Sequence, residues 1–363
     1  MAVRVLYYGY KQNGPCPYFR GGQFADVFPA HGIEPRYLAG LAFGPDGIDD
    51  EPLRWADVVV FARFYDTQLE LRHAAERGVT PFSVTHWAWD WVREHRKPYV
   101  YDTDDDALRT APWNNQYATA LREAETIREM ARHAALVTVA TPALAARYGA
   151  FNRNVRVIRN AVDPDLYRPT IERVERPTTA LFYACAESRL RDYFGELGPQ
   201  GHQGGQAYHA VRTLGLRTVF FGYEGGRDAP KYFDEVIRYI DGIPEYAARL
   251  ADIHADIGLA PLVGDDFDRA KSELHWLEYT CVGVPTVAQR LMRPAPFDPI
   301  RHGVDGLVAR NRAEWLDAVR RLAESPALRA DLVAAARERI AAEYDYRVRV
   351  KDWSDAFAWA ASA

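Results

Sequence analysis

Short runs of β-branched and aromatic residues alternate with helical patterns along the whole chain, and they form two series. In the first half the predicted strands are Val3–Tyr8, Val58–Ala62, Tyr99–Tyr101, Leu136–Ala140 and Val155–Ile158. In the second half they are Thr179–Tyr183, Thr218–Phe221, Ile257–Ala260 and Pro285–Ala288. Apolar strands that alternate with helices are typical of a parallel sheet covered on both faces. The sequence therefore predicts an α/β chain with two doubly wound, Rossmann-like sheets.

Helical patterns fill the spaces between these strands. The predicted helices are Gln23–His31, Ala118–Ala135, Gly205–Leu214, Ala229–Asp241, Glu245–His254, Ser272–Val282 and Arg312–Ala323. The stretch 327–363 is predicted to be helical throughout, and Trp353, Phe357 and Trp359 are its apolar anchors. Ligands of doubly wound sheets bind beyond the carboxyl ends of the strands. The loops that follow the strands are therefore the first places to look for a site.

A segment rich in proline and aspartate separates the two series of strands. Residues 159–178 contain several residues that break regular elements, among them Asn160, Asp163, Pro164, Asp165, Pro169 and Pro177. With 363 residues the chain is long enough for two domains. We predict an N-terminal domain at residues 1–168 and a C-terminal domain at residues 169–340. Residues 341–363 are predicted to form a separate C-terminal helix.

The composition excludes several classes of protein. The chain has 45 basic and 50 acidic residues and a net charge of −5, which is unfavourable for binding nucleic acid through its phosphates. The three cysteines, Cys16, Cys185 and Cys281, are too far apart in sequence to suggest a metal pair or a disulfide framework. We find no signal-like segment and no apolar run of membrane-spanning length, so we expect a cytoplasmic location.

The strongest combination of charged residues lies between Ala260 and Pro285. An acidic loop is followed by Lys271, which is predicted to lie at the start of a helix that also carries Glu278. A helix N-terminus with an added lysine suits a phosphate, and a carboxylate two turns further on can accept hydrogen bonds from a ribose diol. The spacing favours a nucleoside diphosphate. The alternative is an ordinary helix with a surface lysine and a surface glutamate.

This segment resembles the donor-binding signature of retaining glycosyltransferases of family 4, which have the GT-B fold of two Rossmann-like domains facing a central cleft. The signature K-S-x-x-x-x-x-E-Y-x-x-x-G-x-P is matched by Lys271, Ser272, Glu278, Tyr279, Gly283 and Pro285. Two further segments are similar to the family, ATPALAARYGAFNRNVRVIRNAVDPDLY at 140–167 and HGVDGLVARNRAEWLDAVRRLAESPALRADL at 302–332.

The resemblance implies a function and assigns roles to residues. It implies sugar transfer from a nucleotide diphosphate sugar to a hydroxyl acceptor, with retention at the anomeric carbon. It places the donor ribose on Glu278 and the donor diphosphate on Lys271, on Gly21 and Gly22 after the first strand, and on Arg189, with Arg191 as second choice. It also implies that the C-terminal helix crosses back to the N-terminal domain.

One position departs from the family pattern. Many members carry an acidic residue eight positions before the ribose-binding glutamate, where it contacts the sugar, and this chain has Ala270 there. Asp266 or Asp268 is the predicted substitute for contact with the donor sugar.

Four aspartates follow the strand at Tyr99–Tyr101, namely Asp102, Asp104, Asp105 and Asp106. Asp104 and Asp102 are the predicted catalytic residues, because a carboxylate here can orient the acceptor hydroxyl or accept its proton. Two alternatives remain open. The cluster can cap a helix, or it can hold a metal ion in the way of the DxD motif of GT-A transferases.

The remaining expectations concern the acceptor and the alternative functions. Arg63 and His86 are predicted to line the acceptor side, although a structural role is an alternative for each. The acceptor is a small molecule, a glycan or a modified base, and we expect no cofactor and no metal ion beyond the nucleotide sugar as co-substrate. A nucleotide-sugar 2-epimerase of the same fold, or a nucleotide-sugar binding protein without turnover, is the alternative to a transferase.

Overall fold

The computed structural model describes residues 2–9, 14–39, 43–44, 47–62, 84–112, 114, 117–184, 203–222, 232–238, 240 and 242–363. The chain divides into two compact units. Unit 1 comprises residues 1–108, 118–161 and 346–363, and unit 2 comprises residues 109–117 and 162–345. The division thus falls after Ala161, whereas the sequence places the domain boundary after residue 168.

Unit 1 is built on a parallel six-stranded sheet. Its strands are β1 (Val3–Tyr8), β2 (Ile33–Leu38), β5 (Val58–Ala62), β6 (Tyr99–Thr103), β7 (Leu136–Val139) and β8 (Val155–Val157), in the spatial order β2-β1-β5-β6-β7-β8. A separate antiparallel pair joins β3 (Phe43–Gly44) and β4 (Gly47–Ile48). The five strands predicted in this half are confirmed, two of them with the same bounds. Strand β2 was missed because Pro35 and its charged neighbours resemble a loop, and the strand accordingly lies at the edge of the sheet, where proline is tolerated.

The helices of unit 1 include α1 (Pro15–Arg20), α2 (Glu51–Trp55), α3 (Val84–Glu94), α4 (Tyr117–His133) and α5 (Pro142–Tyr148). The predicted helix Gln23–His31 is wrong. Two 3₁₀ segments, Gly22–Phe24 and Phe28–His31, occupy that stretch. Pro29 lacks the backbone donor that a longer α-helix would need there.

Unit 2 repeats the architecture of a parallel sheet between helices. Its strands are β9 (Thr179–Ala184), β10 (Arg217–Gly222), β11 (Glu235–Arg238), β12 (Ile257–Ala260), β13 (Thr286–Gln289) and β14 (Leu307–Ala309), in the order β11-β10-β9-β12-β13-β14. The four predicted strands are confirmed. The predicted helix Ala229–Asp241 is wrong, because Glu235–Arg238 pairs with β10 as an edge strand, in which the β-branched Val236 and Ile237 lie opposite Phe220 and Phe221.

The helices of unit 2 include α6 (Gln203–Thr213), α7 (Glu245–Asp252), α8 (Asp266–Arg269), α9 (Leu274–Cys281), α10 (Arg312–Glu324) and α11 (Pro326–Glu343). The core between this sheet and α10 contains Phe182, Phe220, Leu259, Val287 and Trp315. No described helix has both the length and the apolar character needed to span a membrane.

The C-terminal stretch, which is predicted to be helical throughout with a separate last helix from residue 341, forms two helices that meet at 344–345. Helix α11 ends at Glu343, and α12 runs over Tyr346–Ser362. At the break, the backbone N–H of Val162 donates to the carbonyl of Tyr344. Helix α12 then belongs to unit 1, where the buried rings of Trp353 and Phe357 contact Phe24, Phe28 and Tyr7.

Candidate functional site

The segment with the charged signature follows β12 at its carboxyl end. After Ala260 the chain forms a loop, the one-turn helix α8, a turn at 270–273, and then α9. The prediction that Lys271 and Ser272 open the helix that carries Glu278 is therefore wrong. Helix α9 begins at Leu274, and Glu273 is its N-cap residue. Lys271 lies in the turn instead, with its backbone N–H donating to the carbonyl of Asp268 at 3.2 Å.

The ammonium group of Lys271 lies over an aromatic ring of the preceding helix. Its Nζ is 4.3 Å from the centroid of the Phe267 ring, within the range of a cation–π contact. This contact positions the lysine at the carboxyl edge of the sheet, where ligands of this class of sheet bind.

The acidic loop divides its aspartates between structural and exposed roles. Asp265 caps α8 by accepting from the N–H of Asp268 at 2.7 Å, and Asp268 accepts from the N–H of Gly264 at 2.9 Å. Burial, together with the nearby charge of Asp268, raises the pKa of Asp265. Asp266 is exposed and lies 3.8 Å from Nη1 of Arg109. Of the two predicted sugar contacts, Asp268 is thus 5% exposed and bonded within the loop, whereas Asp266 remains accessible.

Glu278 is the most unusual ionisable group of this region. It lies in the middle of α9 and is 1% exposed, so its carboxylate is almost completely shielded from solvent. Its Oε1 accepts a hydrogen bond from the hydroxyl of Tyr167 at 3.2 Å and a second, short one from the hydroxyl of Tyr246. Burial raises the pKa of Glu278 to about 8, and the two tyrosine hydroxyls oppose that rise because they stabilise the charged form.

Aromatic rings pack around Tyr246, one of the two residues that donate to Glu278. The ring of Tyr183, at the end of β9, stacks on the ring of Tyr246 with 5.5 Å between centroids, and it lies 4.8 Å from the ring of His275. Phe221, at the end of β10, stacks on Tyr246 at 5.8 Å. The ends of two adjacent strands thus pack against the tyrosine that donates to Glu278.

In unit 1 the first of the two glycines after β1, Gly21, has a packing role that the sequence did not reveal. A Cβ on Gly21 would lie 2.7 Å from Cε1 of Tyr7, which is closer than side-chain packing allows. The carbonyl of Gly21 accepts from the hydroxyl of Tyr37 at 3.0 Å. Gly22 is also buried and begins a 3₁₀ segment. Gly21 is therefore required by the packing of unit 1, and the predicted role of both glycines with the donor phosphates stays a prediction.

The acidic cluster at the end of β6 separates into buried and accessible members. Asp102 is 1% exposed and accepts hydrogen bonds from Arg20 and from the hydroxyl of Thr138. Asp106 is fully buried and lies 3.2 Å from Nη2 of Arg147. Asp104, by contrast, is only partly buried. Among the described residues, no group of three or more His, Cys, Asp or Glu side chains is arranged to hold a metal ion.

The other predicted residues give less information. His86 lies on α3, with Nε2 3.7 Å from Oε2 of Glu123, and its side chain is 40% exposed. Arg63, Arg189 and Arg191 lie outside the described residues. Sequence reasoning missed Arg20, Tyr167 and Tyr246 as partners of site residues. Only Tyr167 gave a signal, because it ends one of the two segments that resemble the glycosyltransferase family.

Comparisons with known proteins agree with this architecture. Residues 206–355 match a family model described as glycosyl transferase-like. No curated protein sequence matches the chain. The fold is similar to that of sucrose-phosphate synthase from Thermosynechococcus elongatus, with a TM-score of 0.66 at 13% identity over 98% of both chains.

Two further solved structures have the same fold. HepE from Anabaena, in complex with UDP-glucose, has a TM-score of 0.56 at 16% identity over 97% of this chain and 98% of its own. AviGT4, a glycosyltransferase involved in avilamycin A biosynthesis, has a TM-score of 0.55 at 16% identity over 99% of both chains. The predicted resemblance to glycosyltransferases is therefore confirmed, and the two parallel six-stranded sheets are those of the GT-B fold.

Proposed function

We propose that the chain is a retaining glycosyltransferase that moves a sugar from a nucleoside diphosphate sugar to a hydroxyl acceptor. The observation that carries the proposal is the buried Glu278, which lies at the carboxyl edge of the unit 2 sheet, close in sequence to Lys271. This stretch falls within the residues that match the glycosyl transferase-like model. A buried carboxylate is unfavourable unless hydrogen bonds compensate it, so its retention at a ligand-binding edge favours a binding role.

In this proposal unit 2 holds the donor. Glu278 accepts hydrogen bonds from the ribose hydroxyls, and Lys271 neutralises the diphosphate together with Arg189. Ala270 stands where many members of the resembling family have an acidic residue that contacts the donor sugar. We assign that contact to Asp266, because Asp266 is exposed whereas Asp268 is hydrogen-bonded within its loop. The solved complexes of HepE with UDP-glucose, and with UDP and glucose, favour a uridine nucleotide sugar as the first donor to test.

The cations of the donor site support a transfer that needs no metal ion. When the bond between the anomeric carbon and the diphosphate breaks, negative charge develops on the leaving phosphate. Fixed positive groups aimed at that charge stabilise the transition state. Lys271 supplies one such group, and we assign a second to Arg189.

We assign the acceptor side to unit 1. The acceptor hydroxyl forms the new bond to the anomeric carbon and loses its proton, which a carboxylate can receive or help to orient. Asp104 is suited to that role because it is the more accessible of the two predicted catalytic aspartates, whereas Asp102 is held by Arg20. Arg63 and His86 remain the proposed acceptor contacts, and Gly21 and Gly22 the proposed donor contacts of unit 1.

The test is binding and turnover with Glu278→Ala. The variant should bind UDP more weakly by about 1.5–3 kcal/mol, the contribution of hydrogen bonds to a charged group. Glu324→Gln, a change of an exposed carboxylate on α10, is the matched control and should bind UDP as the parent does. Equal UDP affinity in parent and Glu278→Ala contradicts the ribose assignment.

Product analysis separates the transferase from the alternatives. A transferase releases nucleoside diphosphate and forms a glycoside only when an acceptor is present, with the anomeric configuration of the donor. An epimer that accumulates without acceptor identifies a 2-epimerase. Binding of nucleotide sugars without any product across an acceptor panel identifies a binding protein.

A further inference from the structure

The carboxylate of Glu278 is held by two tyrosines from distant parts of unit 2. Tyr167 follows the 3₁₀ segment Pro164–Leu166 and lies 111 positions away in sequence, and Tyr246 lies on α7, 32 positions away. Tyr167 is 4% exposed and Tyr246 is 1% exposed. Three separate elements therefore converge on one buried carboxylate.

The two hydroxyls donate to the same carboxylate oxygen. Both hydrogen bonds end on Oε1, and among the described residues no donor reaches Oε2. A carboxylate has two oxygens and only accepts hydrogen bonds. The two tyrosines therefore satisfy one oxygen, and no residue in the described part of the chain donates to the other.

We propose that Tyr246 and Tyr167 are positioning residues that fix the Glu278 carboxylate through Oε1, so that Oε2 is left to accept from the ribose hydroxyls of the donor. The proposal rests on the function proposed above and deepens it. It makes the two tyrosines determinants of a preference for nucleotides that carry an intact ribose diol.

The rings of these tyrosines are suited to a positioning role. The ring of Tyr246 lies against Phe221, at 5.8 Å with an interplanar angle of 13°, and against Tyr183, at 5.5 Å with an angle of 28°. Phe221 and Tyr183 are themselves 5.7 Å apart, so the three rings form one cluster. A ring held in this way has little freedom, so its hydroxyl presents a fixed donor. Two such donors also favour the ionised carboxylate, which burial alone would disfavour.

The experiment compares UDP with its 2′,3′-dideoxy analogue by calorimetry on the full chain. The parent should bind UDP about tenfold or more tightly than the dideoxy analogue. A tenfold difference in affinity corresponds to about 1.4 kcal/mol, and a single hydrogen bond to a charged group contributes more than that. Tyr246→Phe and Tyr167→Phe keep the rings and remove one hydroxyl each. Each variant should reduce the preference for UDP over the dideoxy analogue by about threefold or more, mainly because it binds UDP more weakly.

The matched control is Tyr208→Phe. The hydroxyl of Tyr208 donates to the backbone carbonyl of Tyr232 at 2.7 Å, in the same unit and without contact to Glu278. This variant should keep the preference of the parent. If a removed hydroxyl acts only through the stability of the protein, the affinities for UDP and for the dideoxy analogue should fall by the same factor. If the hydroxyl positions Glu278, the ratio of the two affinities should change.

The pH dependence of the preference for UDP gives a second measurement. In the parent the preference for UDP should rise as the pH increases through about 8, when Glu278 ionises. Phenylalanine at 246 or 167 should move that midpoint to higher pH, because the charged form loses a donor. An unchanged midpoint in both folded variants overturns the proposal.

The remaining outcomes separate this proposal from the proposed function. A parent that binds neither UDP, GDP nor ADP contradicts the function itself. A parent that binds UDP but shows no preference over the dideoxy analogue leaves the function standing and overturns only the positioning role. An unchanged preference in folded Tyr246→Phe and Tyr167→Phe also overturns that role.

Discussion

Arg20 and Asp102 form a two-point ion pair in the interior of unit 1. Nε of Arg20 donates to Oδ2 of Asp102 at 3.1 Å, and Nη2 donates to Oδ1 at 2.7 Å. The side chains are only 2% and 1% exposed. The guanidinium also donates to the carbonyl of Ile158 and lies 4.8 Å from the ring of Trp353. The pair therefore links α1, β6, the segment after β8, and α12.

Removal of Asp102 should destabilise unit 1 strongly. Asp102→Ala leaves the Arg20 cation buried without its carboxylate, and the loss of one partner of a buried pair costs about 3–5 kcal/mol. Chemical denaturation monitored by tryptophan fluorescence measures the change. The control is Asp57→Ala, which breaks the half-exposed pair of Arg4 and Asp57, with 2.6 Å between Nη2 and Oδ1. That change should cost about 1 kcal/mol or less. Equal losses in the two variants would contradict the structural role of Asp102.

Asp104→Asn should show the opposite behaviour. Asp104 is partly exposed at the end of β6, so the amide should change the free energy of unfolding little. If its carboxylate receives or orients the acceptor proton, kcat should fall by about 100-fold or more. Steady-state kinetics with saturating donor measure the effect, and UDP affinity serves as the internal control because it should not change. A variant with the parent's kcat removes Asp104 from the catalytic assignment.

The raised pKa of Glu278 should make the stability of unit 2 depend on pH. In the unfolded chain this carboxyl ionises near its ordinary value of 4.5, whereas in the folded state it keeps its proton up to about pH 8. The contribution to stability is fully present below pH 4.5 and is lost as the pH rises through 8. Each unit of pKa difference corresponds to about 1.4 kcal/mol, so the loss should reach several kcal/mol.

Glu278→Gln tests this pH dependence, because the amide does not titrate. Urea denaturation at pH 5.5 and pH 7.5 should show a smaller fall in the free energy of unfolding for the variant than for the parent. The comparison uses the difference in the free energy of unfolding between parent and variant at each pH, so the contributions of other titrating groups cancel. Parallel pH profiles for parent and variant would show that Glu278 ionises normally in the folded protein.

Most strands and the short motifs could be predicted from the sequence, whereas contacts between residues far apart in sequence could not. Strands β1 and β5 were predicted with their observed bounds because β-branched and aromatic residues dominate both runs, with Arg4 as the one charged residue. Strands β2 and β11 were missed because edge strands carry proline or charged residues, and pairing with a neighbour decides their conformation. Lys271 and Glu278 were found because one short segment holds both. Tyr246 became visible only when folding brought α7 and α9 together.

Activity should survive treatment with EDTA. The proposed transfer uses Lys271 and Arg189 to neutralise the leaving diphosphate, which is the task that a metal ion performs in metal-dependent transferases. Product formation with and without EDTA measures the dependence, and a metal-dependent transferase assayed in parallel confirms that the chelator is effective. Complete loss of activity that Mn²⁺ restores would assign the metal to the aspartates at 102–106 and contradict the proposed mechanism.

Deletion of α12 should separate the stability of unit 1 from nucleotide binding by unit 2. Trp353 and Phe357 are fully buried, and they pack on Phe24, Phe28 and Tyr7 in the core of unit 1. A chain that ends at Asp345 loses these rings and leaves the facing apolar surface exposed to water. We expect it to bind a hydrophobic dye, to be cleaved rapidly by protease within unit 1, and to lose transfer activity.

The point variant Trp353→Ala gives a graded version of this test. Removal of a buried tryptophan side chain should cost about 3–5 kcal/mol, so unit 1 should unfold at lower denaturant concentration. Unit 2 contains Glu278, Tyr167 and Tyr246, and in both altered chains it should still bind UDP with the parent's affinity. Val348→Ala is the control on the same helix, because that side chain is half exposed and its removal should change stability little. A truncated chain with normal turnover would show that α12 is dispensable for the fold of unit 1.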